Sequence, residues 1–541
     1  MARMQNIVLI DDSGPRLLCN GRLEAQPWEP QMRKAVNFIE SPQKSHCREG
    51  NELSGFPAVP LLPQIRRIHS ECGPATCLLG LALLATDNWM FWFQPRLVLF
   101  LDLMRYLTLA AQRVCHVSSQ SARPTTTTSS ISLLVHFLQK AATMRTFTLA
   151  TMLASGTSAL TIPLLGSLTG FKDIPVLSLS QGGKAQCYSG LIAVPVTTTG
   201  NTQLNLNLPN NQSSVTDIFT QYLTSTSTLV QTLTGPDATV SGTFNIHAKL
   251  CFPLLSLPPL VTPPTVQFLI HGIGFDKGYW DFAPGYSQVD AAAAAGYATF
   301  TYDRLGVGLS DHPDAVQVVQ SPLEVDIAHA LIQMLRKGNL LGTKFGKVAI
   351  GGHSFGSIQS VGIASRYPDD VDAVMLTGFS LSSASFGLTF AAFNAALANK
   401  NQAARFGALS NGYLVTGSPQ SNQMAFFRNP NYDANLFNAD DNNKQTFTFG
   451  EFFTLGKVVA PATSFKGPVD VVNGQNDFIF CQGDCLNPSD QNAPVTGALF
   501  PAAGGKCSTF MLPGAGHALN LHYGASQMFA HMNNFLKSNG L

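Results

Sequence analysis

A serine, a carboxylate and a histidine follow one another along the chain in an order that suits nucleophilic catalysis. The serine is Ser354, in Gly352-His353-Ser354-Phe355-Gly356. A serine hydroxyl is a weak nucleophile at neutral pH. It needs a base to take its proton, and the base needs an acid to orient it and stabilise its cation. Downstream, Asn473-Gly474-Gln475-Asn476-Asp477 offers Asp477 as the acid, and Gly514-Ala515-Gly516-His517 offers His517 as the base. The chemistry also requires two N–H groups aimed at a developing oxyanion. One is expected from Phe355, next to the nucleophile. The other is expected from Ile273, with Gly274 as second choice, in His271-Gly272-Ile273-Gly274.

Other residues compete for these roles. Asp470 falls inside or at the start of a strand and Asp484 beyond the loop, so both rank below Asp477. The stretch Thr377-Gly378-Phe379-Ser380 carries no carboxylate. His522 is expected on a helix or at the surface, and His271 and His353 as packing or hydrogen-bonding neighbours. A chance Gly-x-Ser-x-Gly is the plain alternative in a chain with 46 glycines. The flanking elements argue against it.

Residues 348–350 form an apolar run before the pentad, and a helical pattern follows it and stops before Pro368. This strand–turn–helix context lifts the serine on a sharp turn, with glycines two residues either side where side chains would collide. From residue 266 the same rhythm repeats. Strands are expected at 266–270, 297–302, 371–376, 469–473 and 507–512. Helices are expected around 289–295, from Ser321 to about 337 and over 523–537. The run Ser321-Pro322-Leu323-Glu324 reads as a capping box with proline at the first helical position. Strands alternating with helices predict a mostly parallel sheet covered on both faces. Ahead of this region, 190–197 and 239–252 read as strands, with a Thr/Asn/Ser-rich stretch and an amphipathic helix near 215–223 between them. Residues 381–460 break the rhythm. They are rich in Phe, Asn and Ala, with a helix expected over 390–404, and lie between two strands, where an insertion forms a cap over the strands' C-terminal edge. The core is therefore divided into 160–380 and 461–541.

Charged residues make up 12% of the chain and the formal net charge is +1. No field favours nucleic acid or an anionic membrane surface. The chain lacks a phosphate-loop motif, a His-Glu-x-x-His helix and a paired Cys-x-x-Cys set. Neither a metal nor an organic cofactor is expected. Residues 1–143 do not read as a domain. Within them, 78–101 is apolar enough to suggest a span, but Asp87 and Arg96 interrupt it, so no stable membrane span is expected. Residues 144–159 then have the anatomy of a secretory leader: Met144, Arg145, a short apolar stretch and a small-residue end at Ala159. The expectation is that translation starts at Met144, that 1–143 is a gene-model extension, and that the mature chain is secreted. Disulfides follow from that. Cys187 with Cys251 is one plausible pair, and Cys507 with Cys481 or Cys485 another. Asn211-Gln212-Ser213 is a glycosylation sequon in a polar loop.

These motifs taken together resemble the α/β-hydrolase superfamily. The matching segments are 271–281 (HGIGFDKGYWD), 303–310 (DRLGVGLS), 352–356 (GHSFG), 473–477 (NGQND) and 514–517 (GAGH). The general look is similar to secreted fungal members. The resemblance covers residue 240 or so to the C-terminus. It implies a Ser354–His517–Asp477 triad and an acyl-enzyme, and a structural rather than catalytic role for Asp303 and Arg304. A serine at the turn argues against the relatives in which an aspartate attacks. The expected function is a secreted serine esterase acting on a small-molecule carboxylic ester or lactone. Peptidase, thioesterase or acyltransferase chemistry on the same triad is the alternative. A catalytically silent binding protein on this fold is the alternative of another class.

Overall fold

The computed structural model describes residues 169–254, 265–382 and 385–541. The expectations for 1–143, for the apolar run at 78–101 and for the leader at 144–159 lie outside the described residues.

Nine strands form one sheet among the described residues. In chain order they are β1 (Val176–Leu179), β2 (Ala185–Leu204), β3 (Thr234–Pro253), β4 (Thr265–Ile270), β5 (Ala298–Tyr302), β6 (Lys347–His353), β7 (Ala373–Thr377), β8 (Val469–Gly474) and β9 (Ser508–Leu512). Their order across the sheet is β1-β2-β3-β5-β4-β6-β7-β8-β9. The first three strands pair antiparallel, and the six from β5 to β9 are parallel. Apart from the edge strand β9, the parallel strands are buried on both faces, and this explains why they read as mostly apolar runs and not as strictly alternating ones. Val266, Phe268, Ile270, Val348, Ile350, Val374 and Val471 are fully buried.

Helices cover both faces. In chain order the main ones are α1 (Gln212–Leu223), α2 (Gln288–Ala295), α3 (Ser321–Lys337) and α4 (Phe355–Arg366), with α5 to α8 in the insertion, α9 (Phe478–Cys481) and the tail helix α10 (Ala525–Ser538). Helix α2 packs with α10, and α3 with α4. The chain steps from β4 to β5 on one side, then returns through α3 to β6 on the other. That reversal makes the C-terminal ends of β4 and β6 the usual ligand position in such a sheet.

Three expectations of local structure are corrected. The capping box at Ser321 does not form. Gln320 is the N-cap without a side-chain cap bond, because Glu324 turns to the buried guanidinium of Arg304 at 2.7 Å. The single helix over 390–404 is broken. It ends at Asn394 in the left-handed region, and Ala396–Leu397 joins a small sheet with Tyr413–Val415 and Phe447–Thr448. The β2–β3 hairpin is much longer than its apolar cores, with twenty residues in each arm, because Thr-rich positions also suit a pleated ladder. Asn211 closes the polar loop after β2 as the exposed N-cap of α1, its side chain accepting from the Ser214 N–H at 3.0 Å.

The insertion between β7 and β8 contains α5 (Phe386–Phe393), α6 (Pro419–Phe426), α7 (Ala434–Asn443) and α8 (Phe449–Thr454). Gln212 of α1 reaches into it. Its side chain donates to the Ala395 carbonyl at 2.8 Å and accepts from the Leu397 N–H at 3.0 Å.

Candidate active site

Because the six strands are parallel, the loops after β4, β6, β8 and β9 share one edge. Four of the motifs read from the sequence lie on those loops. Ser354 occupies the turn from β6 to α4 with φ 55° and ψ −115°. This conformation is strained for a residue with a side chain. Neighbouring groups hold it there. The Ser354 N–H donates to the Thr377 carbonyl at 2.9 Å, and the Ser357 hydroxyl donates to the Gly352 carbonyl at 2.9 Å. A Cβ at Gly352 would collide with the Gly356 backbone, and one at Gly356 with Ile270, so the turn closes only with glycine at both.

Asp477 and His517 come from the loops after β8 and β9 and are both wholly buried. His517 Nδ1 lies 2.6 Å from Asp477 Oδ2. The other carboxylate oxygen accepts from the Phe480 N–H at 3.0 Å. With the proton on Nδ1, Nε2 carries a free lone pair. It has no hydrogen-bond partner, so no serine–imidazole bond is formed between Ser354 and His517. Such contacts often tighten only when substrate binds. The lower-ranked acids are engaged elsewhere: Asp470 accepts from Ser508 and pairs with His531, and Asp484 accepts from the Leu486 N–H.

Three further imidazoles surround this pair. His353 stacks on Tyr279 with centroids 4.4 Å apart and lies 4.8 Å from the His517 ring. Its Nδ1 donates to the Thr377 hydroxyl at 3.2 Å, which itself donates to Gly352. Burial holds His353 well below the usual imidazole range, with His517 and His271 adding to the shift. His271 is fixed the same way: its Nε2 accepts from the Arg304 N–H at 3.1 Å and its Nδ1 donates to the Gly272 carbonyl at 2.9 Å. Burial and the Arg304 charge lower it to about 3.

His522 departs from its expected place on a helix or the surface. It is buried, with Nε2 accepting from the N–H groups of both Gly516 and Arg428 at 3.0 Å, and Nδ1 donating to the Ala518 carbonyl at 2.8 Å. It thus holds the residues on either side of His517. Burial lowers it to about 4. The sequence signal was only a histidine five places after His517. Its second donor comes from the insertion, 94 residues away.

The N–H groups of Ile273 and Phe355 have no partner among the described residues. Phe355 is the first residue of α4, where the helix leaves its N–H groups free and the local field favours negative charge. The loop of Ile273 passes close to the nucleophile: a Cβ at Gly272 would stand 2.9 Å from Ser354 Cβ. At Gly274 the carbonyl accepts from the Gln445 N–H of the insertion at 2.9 Å.

The insertion closes over this edge. Phe426 of α6 packs on His517 and on Phe275, with centroids at 5.9 and 5.0 Å, and its carbonyl accepts from the Ala518 N–H at 2.8 Å. Phe480 adds a third ring at 5.9 Å from His517. Ser354 is 8% exposed. The arrangement offers a nucleophile, an oriented base and two free donors in an aromatic enclosure.

Residues 268–526 match the family model described as the alpha/beta hydrolase family. The chain has the α/β-hydrolase fold. A search of the curated proteins returns no match. Among solved structures, the hydrolase fold here is similar to a monoacylglycerol lipase from Paleococcus ferrophilus, at 18% identity and TM-score 0.35, over 51% of this chain and 94% of that one. It is also similar to the epoxide hydrolase VrEH1 from Vigna radiata, at 14% identity and TM-score 0.37, over 54% and 94%. A third is an alpha/beta hydrolase fold protein from Chitinophaga pinensis, at 14% identity and TM-score 0.36, over 55% and 94%. At these TM-scores the likenesses decide nothing about the chemistry.

Two disulfides are present among the described residues. Cys187 pairs with Cys251, its partner across the β2–β3 ladder. The second bridge corrects the expectation for Cys507: Cys481 and Cys485 pair with each other, across the turn after α9, and Cys507 is free and exposed. Among the described residues no helix is long and apolar enough to cross a membrane, and no group of three or more His, Cys, Asp or Glu is placed to hold a metal.

Proposed function

We propose that this chain is a serine hydrolase that cleaves a small-molecule carboxylic ester or lactone through an acyl-enzyme on Ser354. The observation that carries the reading is the buried Asp477–His517 pair with a free Nε2, on the same sheet edge as a serine held in a strained turn. Ser354 Oγ attacks the ester carbonyl while Nε2 takes its proton. The tetrahedral oxyanion is stabilised by the N–H groups of Phe355 and Ile273. Collapse expels the alcohol, which takes the proton from Nε2. Water then enters, gives a proton to Nε2 and releases the acid by the reverse path. Asp477 keeps the proton on Nδ1 and stabilises the imidazolium. The rings of Phe275, Phe426 and Phe480 favour an apolar group on the substrate. Export from a start at Met144 completes the proposal. The two bridges support an oxidising destination, and the exposed Asn211 is open to glycosylation.

A fluorophosphonate probe tests the reading. Wild type is expected to gain one adduct by intact mass, and Ser354→Ala none. Ester turnover should fall by about three orders of magnitude or more in the variant. An unlabelled wild type would overturn the reading. Labelling accompanied by turnover of peptides and not esters would replace the ester assignment with a peptidase.

A further inference from the structure

Arg304 follows β5 and is fully buried, yet the mechanism above makes no use of it. Its contacts converge on the two free N–H groups. Its backbone N–H donates to His271 Nε2, and His271 Nδ1 donates in turn to the Gly272 carbonyl. The Gly272 carbonyl and the Ile273 N–H belong to one planar trans peptide and point in opposite directions. Fixing the carbonyl towards His271 therefore fixes the Ile273 N–H away from it. On the other side, the Arg304 guanidinium lies over the Phe355 ring, 4.6 Å from its centroid. Phe355 carries the second N–H.

The charged end leads to the insertion. Nη1 binds Glu324 of α3 and also Glu451 of α8. Glu451 is held by its own capping box: it accepts from the Thr448 N–H at 2.8 Å, while its N–H donates to the Thr448 hydroxyl at 3.0 Å. Helix α8 is where the insertion returns to the core. Its first turn is tied down by the Gly450 N–H, which donates to the Ala315 carbonyl at 2.9 Å. Nε and Nη2 of Arg304 have no acceptor, so the carboxylates at Nη1 and the face against Phe355 set the plane of the group.

A purely stabilising role explains this arrangement poorly. Burying one cation with two carboxylates and leaving two donors unpaired is costly, and a packed apolar side chain would serve stability as well or better. The backbone N–H to His271 would survive in an apolar residue; what that residue would not supply is the charged tie to α8 that holds residue 304, and with it that N–H, in place and that lies over Phe355.

We infer that Arg304 is a positioning residue that sets both N–H donors of the oxyanion hole and makes their alignment depend on Glu451 and the seating of the insertion. This rests on the acyl-transfer reading of Ser354.

The test uses the rate of phosphonylation of Ser354, which needs no knowledge of the natural ester and passes through an oxyanion in the same hole. The labelling rate constant at saturation and the half-saturation concentration of a fluorophosphonate are measured separately. Wild type, Glu451→Gln, Arg304→Lys and Arg304→Met are compared, with near-ultraviolet circular dichroism to verify folding. Gln at 451 keeps the acceptor for Thr448 and removes the charge from Arg304. The expected result is a labelling rate constant lower by roughly tenfold in Glu451→Gln, a tenth or less of what losing a whole oxyanion donor costs. The half-saturation concentration should stay within about twofold of wild type, the signature of an interaction made in the transition state. Arg304→Met should lose more, and Arg304→Lys should recover part of it. If Arg304→Met does not fold, Glu451→Gln decides. An unchanged rate constant in folded Glu451→Gln, even with lowered thermal stability, would overturn the inference and leave the proposed function standing. No labelling of wild type would remove the proposed function and the inference together.

Discussion

At the scale of single residues, His522 has the most consequence for its size. It accepts two backbone N–H groups at Nε2, one from the loop of His517 and one from the insertion. Burial keeps this imidazole neutral in the folded chain down to about pH 4, and a proton on Nε2 would also remove both bonds. The unfolded chain takes up that proton near pH 6.5. Between those values the unfolded state binds more protons, so stability falls as pH falls through the window and is fully present above it. The effect amounts to about 1.4 kcal/mol per pH unit. Urea unfolding of wild type and His522→Gln from pH 7 to pH 4.5 isolates it. The stability difference is expected to shift towards the variant at that slope as pH is lowered. A difference that stays constant with pH would show that His522 does not hold these bonds. None of this was legible in the sequence, because a histidine's partners are set by loops that meet only in the fold. Ser354, Asp477 and His517 were legible for the opposite reason. Each lies just past a strand whose apolar run announces it, and the parallel sheet brings such positions to one edge.

At the scale of elements, the acid loop is a small closed unit. Asp477 caps α9, the Gly483 N–H donates to the Asp477 carbonyl at 2.8 Å, and Cys481–Cys485 closes the turn. The two disulfides act on different scales. Chain-entropy reasoning gives about 4 kcal/mol for the 64-residue separation of Cys187–Cys251 but only about 2 kcal/mol for the 4-residue separation of Cys481–Cys485. The small bridge therefore matters more to where Asp477 points than to whether the chain folds. The double variant Cys481→Ser/Cys485→Ser is expected to lose kcat by several-fold to tenfold on a p-nitrophenyl ester, with KM little changed and thermal unfolding lowered by only a few degrees. Unchanged kcat would show that the Asp477–Phe480 bond holds the loop alone. The sequence reading tied these cysteines to Cys507 because spacing does not reveal that a short helix brings positions four apart together. The same limit applied at 390–404. An apolar, alanine-rich stretch has helix propensity, but the small sheet and Gln212 claim its backbone groups in the middle. The strands of the sheet core were read closely, since burial on both faces writes itself as composition.

At the scale of the whole molecule, the insertion is not a separate lid resting on a finished core. Its backbone bonds directly to the site: Ala518 to Phe426, Arg428 to His522, and Gln445 to Gly274. Opening it would release the loops of His517 and of Ile273 together. Native-state hydrogen exchange checks this. The amides of Ala518, Arg428 and Gln445 are expected to exchange as one group with a common opening free energy, below that of β6 and β8. Independent rates for the three would mean that the site opens piecemeal.

The grip of Gln212 on Ala395 and Leu397 joins residues 183 and 185 positions apart. In a growing chain, α1 emerges long before its partner segment exists. The contact closes a wide loop, and such closures contribute only after their entropy has been met. The seating of α1 on the insertion is therefore expected among the late closures, together with the wider one of Gln267 on Asn533, 266 positions apart. A chain in which that seating has not formed leaves the sheet edge at Ser354 without its aromatic roof and open to water.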